Sequence, residues 1–244
     1  MRVLAWCAAI AASLVLAGCA GQPEIPFDKA SAGNIQTIGV LTPNMPERPT
    51  IWLAGDVGQS FGLVGALVDI SMQSNRDDKM WAAMVKSGYV PRDAFLAAVE
   101  SSLQARGFAA KTIAADRSSA GYLKTYPAAG DNKVDAYLDI AFIGYGHGYA
   151  AAGIGSSSLY RPFAYLNCKL VRASDGSVLM QETVLYNYVD VSGFQKDPKA
   201  VTISPDPTYG FVDFDTMMSD AKKAIAGEDA AYHQTADTIV GLLH

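Results

Sequence analysis

The sequence predicts an α+β fold in which helices pack on a mainly antiparallel sheet of about five strands. Short apolar runs, and one segment in which apolar and polar residues alternate, indicate the strands. Apolar residues that recur every three or four positions indicate helices, both after the first strand and at the carboxyl end. An Asp-Gly dipeptide between two strand-like runs predicts that this pair of strands is antiparallel.

The first half of the chain is expected to alternate between strands and helices. The apolar run 37–41 is typical of a buried strand, and a short helix is predicted over residues 77–85. A stronger helix begins near Pro91, because the first helical turn does not need the N–H that proline lacks. Gly107 is placed to end this helix in a Schellman cap, and residues 109–114 then form the next strand.

A strand with one buried face is predicted over residues 134–142, where apolar and polar side chains alternate. Asp135 and Asp139 fall on its polar face. They are expected to be solvated, since about 13 Å separates two strand residues at this spacing, too far for a shared acid and base. Cys168 falls on an apolar face and is expected to be a buried small side chain.

The hairpin and the last helices complete the predicted order. Two long strand-like runs, 159–172 and 178–190, are joined by a turn that contains Gly176. Helical periodicity then covers residues 214–225 and 232–243.

The amino terminus has the layout of a secretory signal, because Arg2 precedes an uncharged apolar run that is too short to span a bilayer. The run ends in Leu16-Ala17-Gly18-Cys19, which resembles the lipobox of bacterial lipoproteins. The resemblance implies that residues 1–18 are a signal peptide, cleaved between Gly18 and Cys19. It also implies that the Cys19 thiol carries a diacylglycerol and that the freed amine is acylated, for example with palmitate.

The lipobox resemblance implies a location as well. Acyl chains contribute about 0.8 kcal/mol per buried methylene, so two or three of them give stable anchoring without a transmembrane helix. Ala20, rather than Asp, follows the cysteine, which implies attachment to the outer membrane facing the periplasm. Residues 19–34 are polar and contain proline, and they are expected to be a lipidated tether for a single α+β periplasmic domain over 35–244.

The order of elements, with the strand at 134–140 and the hairpin turn within 170–179, resembles periplasmic lipoproteins of the TolB amino-terminal-like fold. That group includes the curli secretion lipoprotein CsgG and lipoproteins that activate cell-wall synthases. The resemblance covers roughly Ile35 to Asp190 and implies a fold and an envelope setting rather than an activity.

A serine hydrolase is the alternative from the enzyme class. Residues 58–62 match the G-x-S-x-G nucleophile elbow around Ser60, and Asp206 or Asp213 with His233 would complete the order of a catalytic triad. However, no His-Gly oxyanion loop precedes the motif, and the strand and helix alternation of such enzymes is missing downstream. No catalytic residue is therefore predicted.

A stripe of glycines explains the same motif without catalysis. Gly55, Gly58, Gly62 and Gly65 are spaced by three and four, which on a helix would let another backbone approach closely. Because glycine is a poor helix former, such a helix needs packing inside the monomer, contact with a subunit or partner, or contact with a bilayer.

A second glycine-rich stretch, residues 144–158, is predicted to be a loop between two strands. The alternative is a glycine-tyrosine loop that contacts a partner through Tyr145, His147 and Tyr149. The three histidines of the chain show none of the recognised metal-ligand spacings, so neither a metal nor a cofactor is expected.

The net charge of the chain bears on one class of function, nucleic-acid binding. A net charge of −5 without clustered Lys and Arg argues against nucleic-acid binding, because neutralising phosphate groups requires such clusters. The sequence thus predicts a non-catalytic, lipid-anchored envelope protein that acts by protein contact, with copies of itself or with another envelope component. A periplasmic ligand-binding module is a further alternative.

Overall fold

The computed structural model describes residues 23–54, 62–117, 121–152, 159–189 and 196–244 of the chain. The predicted signal peptide, the lipobox-like residues with Gly18 and Cys19, and Ser60 lie outside these ranges. So do two residues of the glycine stripe, Gly55 and Gly58.

Within the described residues, strands and helices alternate along the first half of the chain, and helices close the second half. The strands are β1 (Thr37–Leu41), β2 (Thr50–Ala54), β3 (Ala109–Ile113), β4 (Ala136–Ala152), β5 (Arg161–Arg172), β6 (Val178–Tyr186) and β7 (Val201–Ile203). The helices are α1 (Lys29–Ala32), α2 (Gly62–Ser87), α3 (Pro91–Ala105), α4 (Ala129–Asn132), α5 (Phe214–Ser219) and α6 (Ala221–Gly241), with a 3₁₀ helix at Pro207–Tyr209.

The strands form one mixed sheet in the order β3-β1-β4-β5-β6-β7, and β2 pairs with β4 beside β1. The α+β class and the antiparallel centre β4-β5-β6 are confirmed. The predicted number of about five strands is wrong, since seven are formed by the described residues. Four short strands form the parallel pairs: β1 pairs with β3 and β4, β2 pairs with β4, and β7 pairs with β6. Parallel pairing is possible because helices or long connections return the chain to the same end of the sheet between paired strands.

Several local predictions are confirmed. The helix α3 ends in a Schellman motif: Gly107 has φ +85°, and the Phe108 N–H donates to the Leu103 carbonyl at 3.0 Å. Gly176, with φ +73°, lies in the hairpin turn, and Leu170 pairs with Met180. The helix predicted over 77–85 is longer than expected, because α2 also includes the glycine-bearing residues from 62 onward.

The main core lies between the sheet and the helices α3 and α6. Phe95 of α3 packs edge-on against Phe142 of β4 and Tyr232 of α6, at ring distances of 5.1 and 5.7 Å. Cys168 is fully buried in this core, as predicted, and burial raises the pKa of its thiol to about 12. The opposite face of the sheet carries a second cluster around Phe163.

Residues 23–34, predicted as part of a tether, are packed on the fold. Ile25 forms two backbone hydrogen bonds with Gln181 of β6, both 2.8 Å long. Phe27 packs against the main core, and Ala32 is buried in it. The folded body therefore begins by residue 23, and no more than the residues before it are left to act as the tether.

No helix formed by the described residues is long and apolar enough to cross a bilayer.

Candidate functional site

The glycine-rich stretch beginning at residue 144 is not the predicted loop in its first half, because residues 144–152 belong to β4. The register with β5 shifts between Phe142, opposite Leu166, and His147, opposite Ala164. Five steps along β4 therefore match two steps along β5, which leaves three extra residues in a bulge. The glycines at 144, 146 and 148 all have positive φ, which explains why glycine is used there.

Two of these glycines also let atoms of neighbouring residues approach closely. A Cβ atom at Gly148 would lie 2.1 Å from the Thr50 carbonyl oxygen on β2. A Cβ atom at Gly146 would lie 2.7 Å from the Pro46 ring. The glycines of the bulge thus allow β2 and the segment before it to lie directly against β4.

The bulge places the three residues of the alternative contact loop, Tyr145, His147 and Tyr149, in different surroundings. Tyr145 is 41% exposed, and its ring lies 5.2 Å from that of Trp52. His147 and Tyr149 are fully buried. Of the three, Tyr145 alone is at the surface of the described chain, so a partner contact through the whole group does not fit this arrangement.

His147 instead forms a buried cluster with two residues of α6. Its Nδ1 atom lies 2.5 Å from Glu228 Oε1 and 2.8 Å from the Tyr232 hydroxyl, which itself donates to Glu228 at 2.5 Å. His147 Nε2 donates to the Pro46 carbonyl at 3.0 Å. A proton must lie between Nδ1 and Glu228, because two lone pairs at 2.5 Å would repel each other.

This cluster connects β4, α6 and the segment before β2. All three side chains have no exposed surface, so no substrate reaches them in this conformation. Burial, and then the Glu228 carboxylate, holds the pKa of Tyr232 well above its ordinary value. Glu228 Oε2 is buried without a hydrogen-bond partner among the described residues. The cluster is therefore a structural crosslink rather than an open reaction centre.

Asp139 is also buried, and the prediction that it is solvated is wrong. Its carboxylate accepts hydrogen bonds from Arg117 at 2.6 Å, from the Leu123 N–H at 2.8 Å and from the Tyr126 hydroxyl at 3.0 Å. These partners lie on the irregular segment that follows β3 and covers this face of β4. Asp135 is exposed as predicted, and its carboxylate accepts two backbone N–H groups.

The residues proposed for a hydrolase have other roles where the structure describes them. Asp206 accepts the Thr208 N–H at the start of the 3₁₀ helix, and Asp213 accepts the Thr216 N–H at the start of α5. Hydrogen bonds from the Thr208 side chain and then its backbone N–H lower the pKa of Asp206, and those from the Thr216 backbone N–H and then its side chain lower the pKa of Asp213. His233 is more than half exposed, and its nearest carboxylate partner is Asp229 at 3.8 Å.

Gly62 and Gly65 lie at the start of α2, so half of the glycine stripe is helical. The packing role of the stripe stays a prediction, since its other members fall outside the described ranges.

An open groove with apolar walls lies where α2 ends and α3 begins. Its volume is about 530 Å³. Val85 and Val90 on its walls are 58% and 49% exposed, and Trp81 and Tyr89 also line it. The Tyr89 hydroxyl donates to Asp229 of α6 at 3.1 Å, so the groove is fixed to the helix that carries the buried cluster.

Charged side chains also line the groove. They are those of Glu47, Arg92 and Asp93, and Arg92 also donates to the Met45 carbonyl at 3.4 Å. Apolar side chains beside a few charged ones in a concave surface are typical of a site that binds another molecule. Across the ranges that the structure covers, no three His, Cys, Asp or Glu side chains are grouped closely enough to hold a metal ion.

No protein-family model and no curated protein matches the chain. Solved structures that are similar over most of its length include one from Xanthomonas campestris and one from Helicobacter pylori. One is the protein XCC0632 from Xanthomonas campestris, described by the family DUF330, with 14% identity over 84% of this chain and 82% of that chain and a TM-score of 0.37. The other is a homologue of the neuraminyllactose-binding hemagglutinin from Helicobacter pylori, with 14% identity over 91% and 92% and a TM-score of 0.31. Likenesses at this level do not assign a function to the chain.

Proposed function

We propose that this chain is an envelope lipoprotein, anchored through Cys19 to the periplasmic face of the outer membrane, that acts by protein contact and without catalysis. The observation that carries the proposal is the sequence Leu16-Ala17-Gly18-Cys19 directly after an uncharged apolar run. The packing of residues from 23 onward supports the proposal, because the folded domain then begins a few residues after the proposed lipid anchor at Cys19.

The groove supports the contact part of the proposal. Val85 and Val90 expose apolar side chains in the groove, and the charged side chains beside them would orient a partner. The buried cluster around His147 is closed to solvent, so it offers no competing site for chemistry.

The TolB amino-terminal-like fold remains part of the proposal. The features that support it are the helices α2 and α3 between the first strands and the antiparallel order β4-β5-β6 that follows. Membership in that group would place the protein beside other envelope lipoproteins that act by assembly.

Photo-crosslinking in intact cells tests the contact. The full chain is made with benzoylphenylalanine in place of Val85, and a matched control carries it in place of Val212, which is 62% exposed and does not line the groove. The proposal expects an adduct with a second copy or with another envelope protein at position 85 and none at 212. Equal crosslinking at both positions, or none at 85, would contradict it.

A further inference from the structure

The segment before α1 is fixed to β6 at Gln181, beside the short edge strand β7, which pairs with residues 184–186 of β6. Besides the backbone pairing of Ile25 with Gln181, the Gln181 side chain donates to the Pro23 carbonyl at 2.8 Å. Glu24 lies 3.5 Å from the ammonium group of Lys199. We call this surface, formed by Pro23, Glu24, Gln181 and Lys199, the anchor edge.

The chain between the proposed anchor and this edge is short. Four residue steps separate Cys19 from Pro23, and a fully extended chain spans at most about 3.6 Å per residue, or about 14 Å in total. A body of this size has a radius of gyration of about 17 Å. The connection is therefore shorter than the body it holds, and the body cannot rotate freely above the membrane.

We propose that the anchor edge faces the phospholipid surface and that the opposite edge of the sheet, β3, points away from it. This inference rests on the proposed anchoring at Cys19. Four strand spacings of about 4.8 Å separate β6 from β3, so β3 lies about 19 Å farther along the sheet. In this orientation, a partner protein would bind to the surfaces that do not face the membrane, such as the edge at β3.

The short connection, and not attraction to anionic lipid, sets this orientation. Glu182 is close to Glu24, Asp197 and Lys199, and its pKa is raised by burial and by the two acidic neighbours. Three carboxylates accompany one ammonium group there, so the edge offers no basic patch to anionic headgroups.

Fluorescence quenching tests the orientation on the full lipidated chain in phosphatidylethanolamine and phosphatidylglycerol vesicles that contain a headgroup spin label. A fluorophore is attached to Lys199→Cys at the anchor edge or to Ala109→Cys at the start of β3, both exposed positions. Cys168 is buried and its thiol has a raised pKa, so it does not compete for the label. Strong quenching at 199 and weak quenching at 109 is expected. Equal quenching, or stronger quenching at 109, would overturn the inference.

A longer connection provides the control. A flexible insertion of about 20 Gly and Ser residues before Pro23 has a mean span of about 25 Å and should remove the difference between the two labels. If the difference persists, the short connection does not set the orientation and the inference is wrong.

Flotation of the same vesicles reports the anchor separately. Wild-type chain that fails to float refutes the proposed lipid anchor. Chain that floats but gives the reversed quenching pattern refutes the orientation alone.

Discussion

Gly148 is a position at which one added methyl group should strongly lower the free energy of unfolding. Its φ of +136° is one that L side chains rarely adopt, which costs about 1–3 kcal/mol in a non-glycine residue. The added Cβ would also lie 2.1 Å from the Thr50 oxygen and 2.6 Å from the Thr50 nitrogen. These are backbone atoms of the paired strand, so β2 must move and a further cost of about 1–3 kcal/mol follows.

We therefore expect Gly148→Ala to lower the free energy of unfolding by about 4 kcal/mol, the middle of the summed range. For a body of this size, that loss corresponds to a melting temperature lower by about 8–16 °C. Urea unfolding and thermal melts of the purified wild-type and Gly148→Ala proteins measure both quantities.

Gly176→Ala is the matched control. Gly176 also has positive φ, at +73°, but a Cβ there meets nothing within 4 Å. Its expected cost is only the backbone term of about 1 kcal/mol. If Gly148→Ala is no more destabilising than Gly176→Ala, the close approach of β2 to the bulge is not what requires glycine at 148, and the reasoning fails.

Asp139→Ala leaves the Arg117 guanidinium buried without its counter-charge, so urea unfolding should show a loss of about 3–5 kcal/mol, and a loss near zero would show that the pair is dispensable. Burial holds the pKa of Tyr149 well above its ordinary value, so the folded chain keeps a proton that the unfolded chain loses above about pH 10. The contribution of Tyr149 to the free energy of unfolding is therefore fully present below about pH 10 and decreases as the pH rises. Tyr149→Phe should reduce this alkaline slope by up to about 1.4 kcal/mol per pH unit, and an unchanged slope would contradict the assignment. Gly62→Leu should lower thermal stability by about 1–3 kcal/mol if the stripe packs inside the monomer, or abolish association in light scattering if it joins molecules; no change in either would make the stripe hypothesis wrong.

The elements that local pattern controls were predictable. The helix from Pro91 and its cap at Gly107 depend on residues within the helix and just beyond it, and the turn at Gly176 depends on the residues around it. The parallel strands were not predictable, because their pairing depends on how α2 and α3 return the chain to the sheet. The 17 residues of β4 offer one edge to both β1 and β2, which alternation within β4 does not reveal.

The glycine-rich half of β4 shows where composition misleads. Glycines at 144, 146 and 148 are equally typical of a turn and of a bulge beneath a closely packed strand. What distinguishes the two is the position of Thr50 and Pro46, and these are distant in sequence.

The buried polar groups could be found only in part. Glu228 and Tyr232 are four residues apart on α6, a spacing that places them on one face, but the helical ranges predicted from the sequence, 214–225 and 232–243, do not include Glu228. Nothing in the sequence connects them to His147, 81 residues before Glu228. Likewise, alternation placed Asp139 on the polar face of β4 correctly, but Arg117 and the segment after it convert that face into buried surface.

Lipid attachment at Cys19 is the central claim, and metabolic labelling tests it most directly. Cells that express the wild-type chain or Cys19→Ser are grown with labelled palmitate, and the immunoprecipitated protein is examined for label and for size. Labelled, shortened wild-type protein beside an unlabelled, full-length Cys19→Ser precursor is the predicted result. Label on the Cys19→Ser protein, or none on the wild type, would contradict the account.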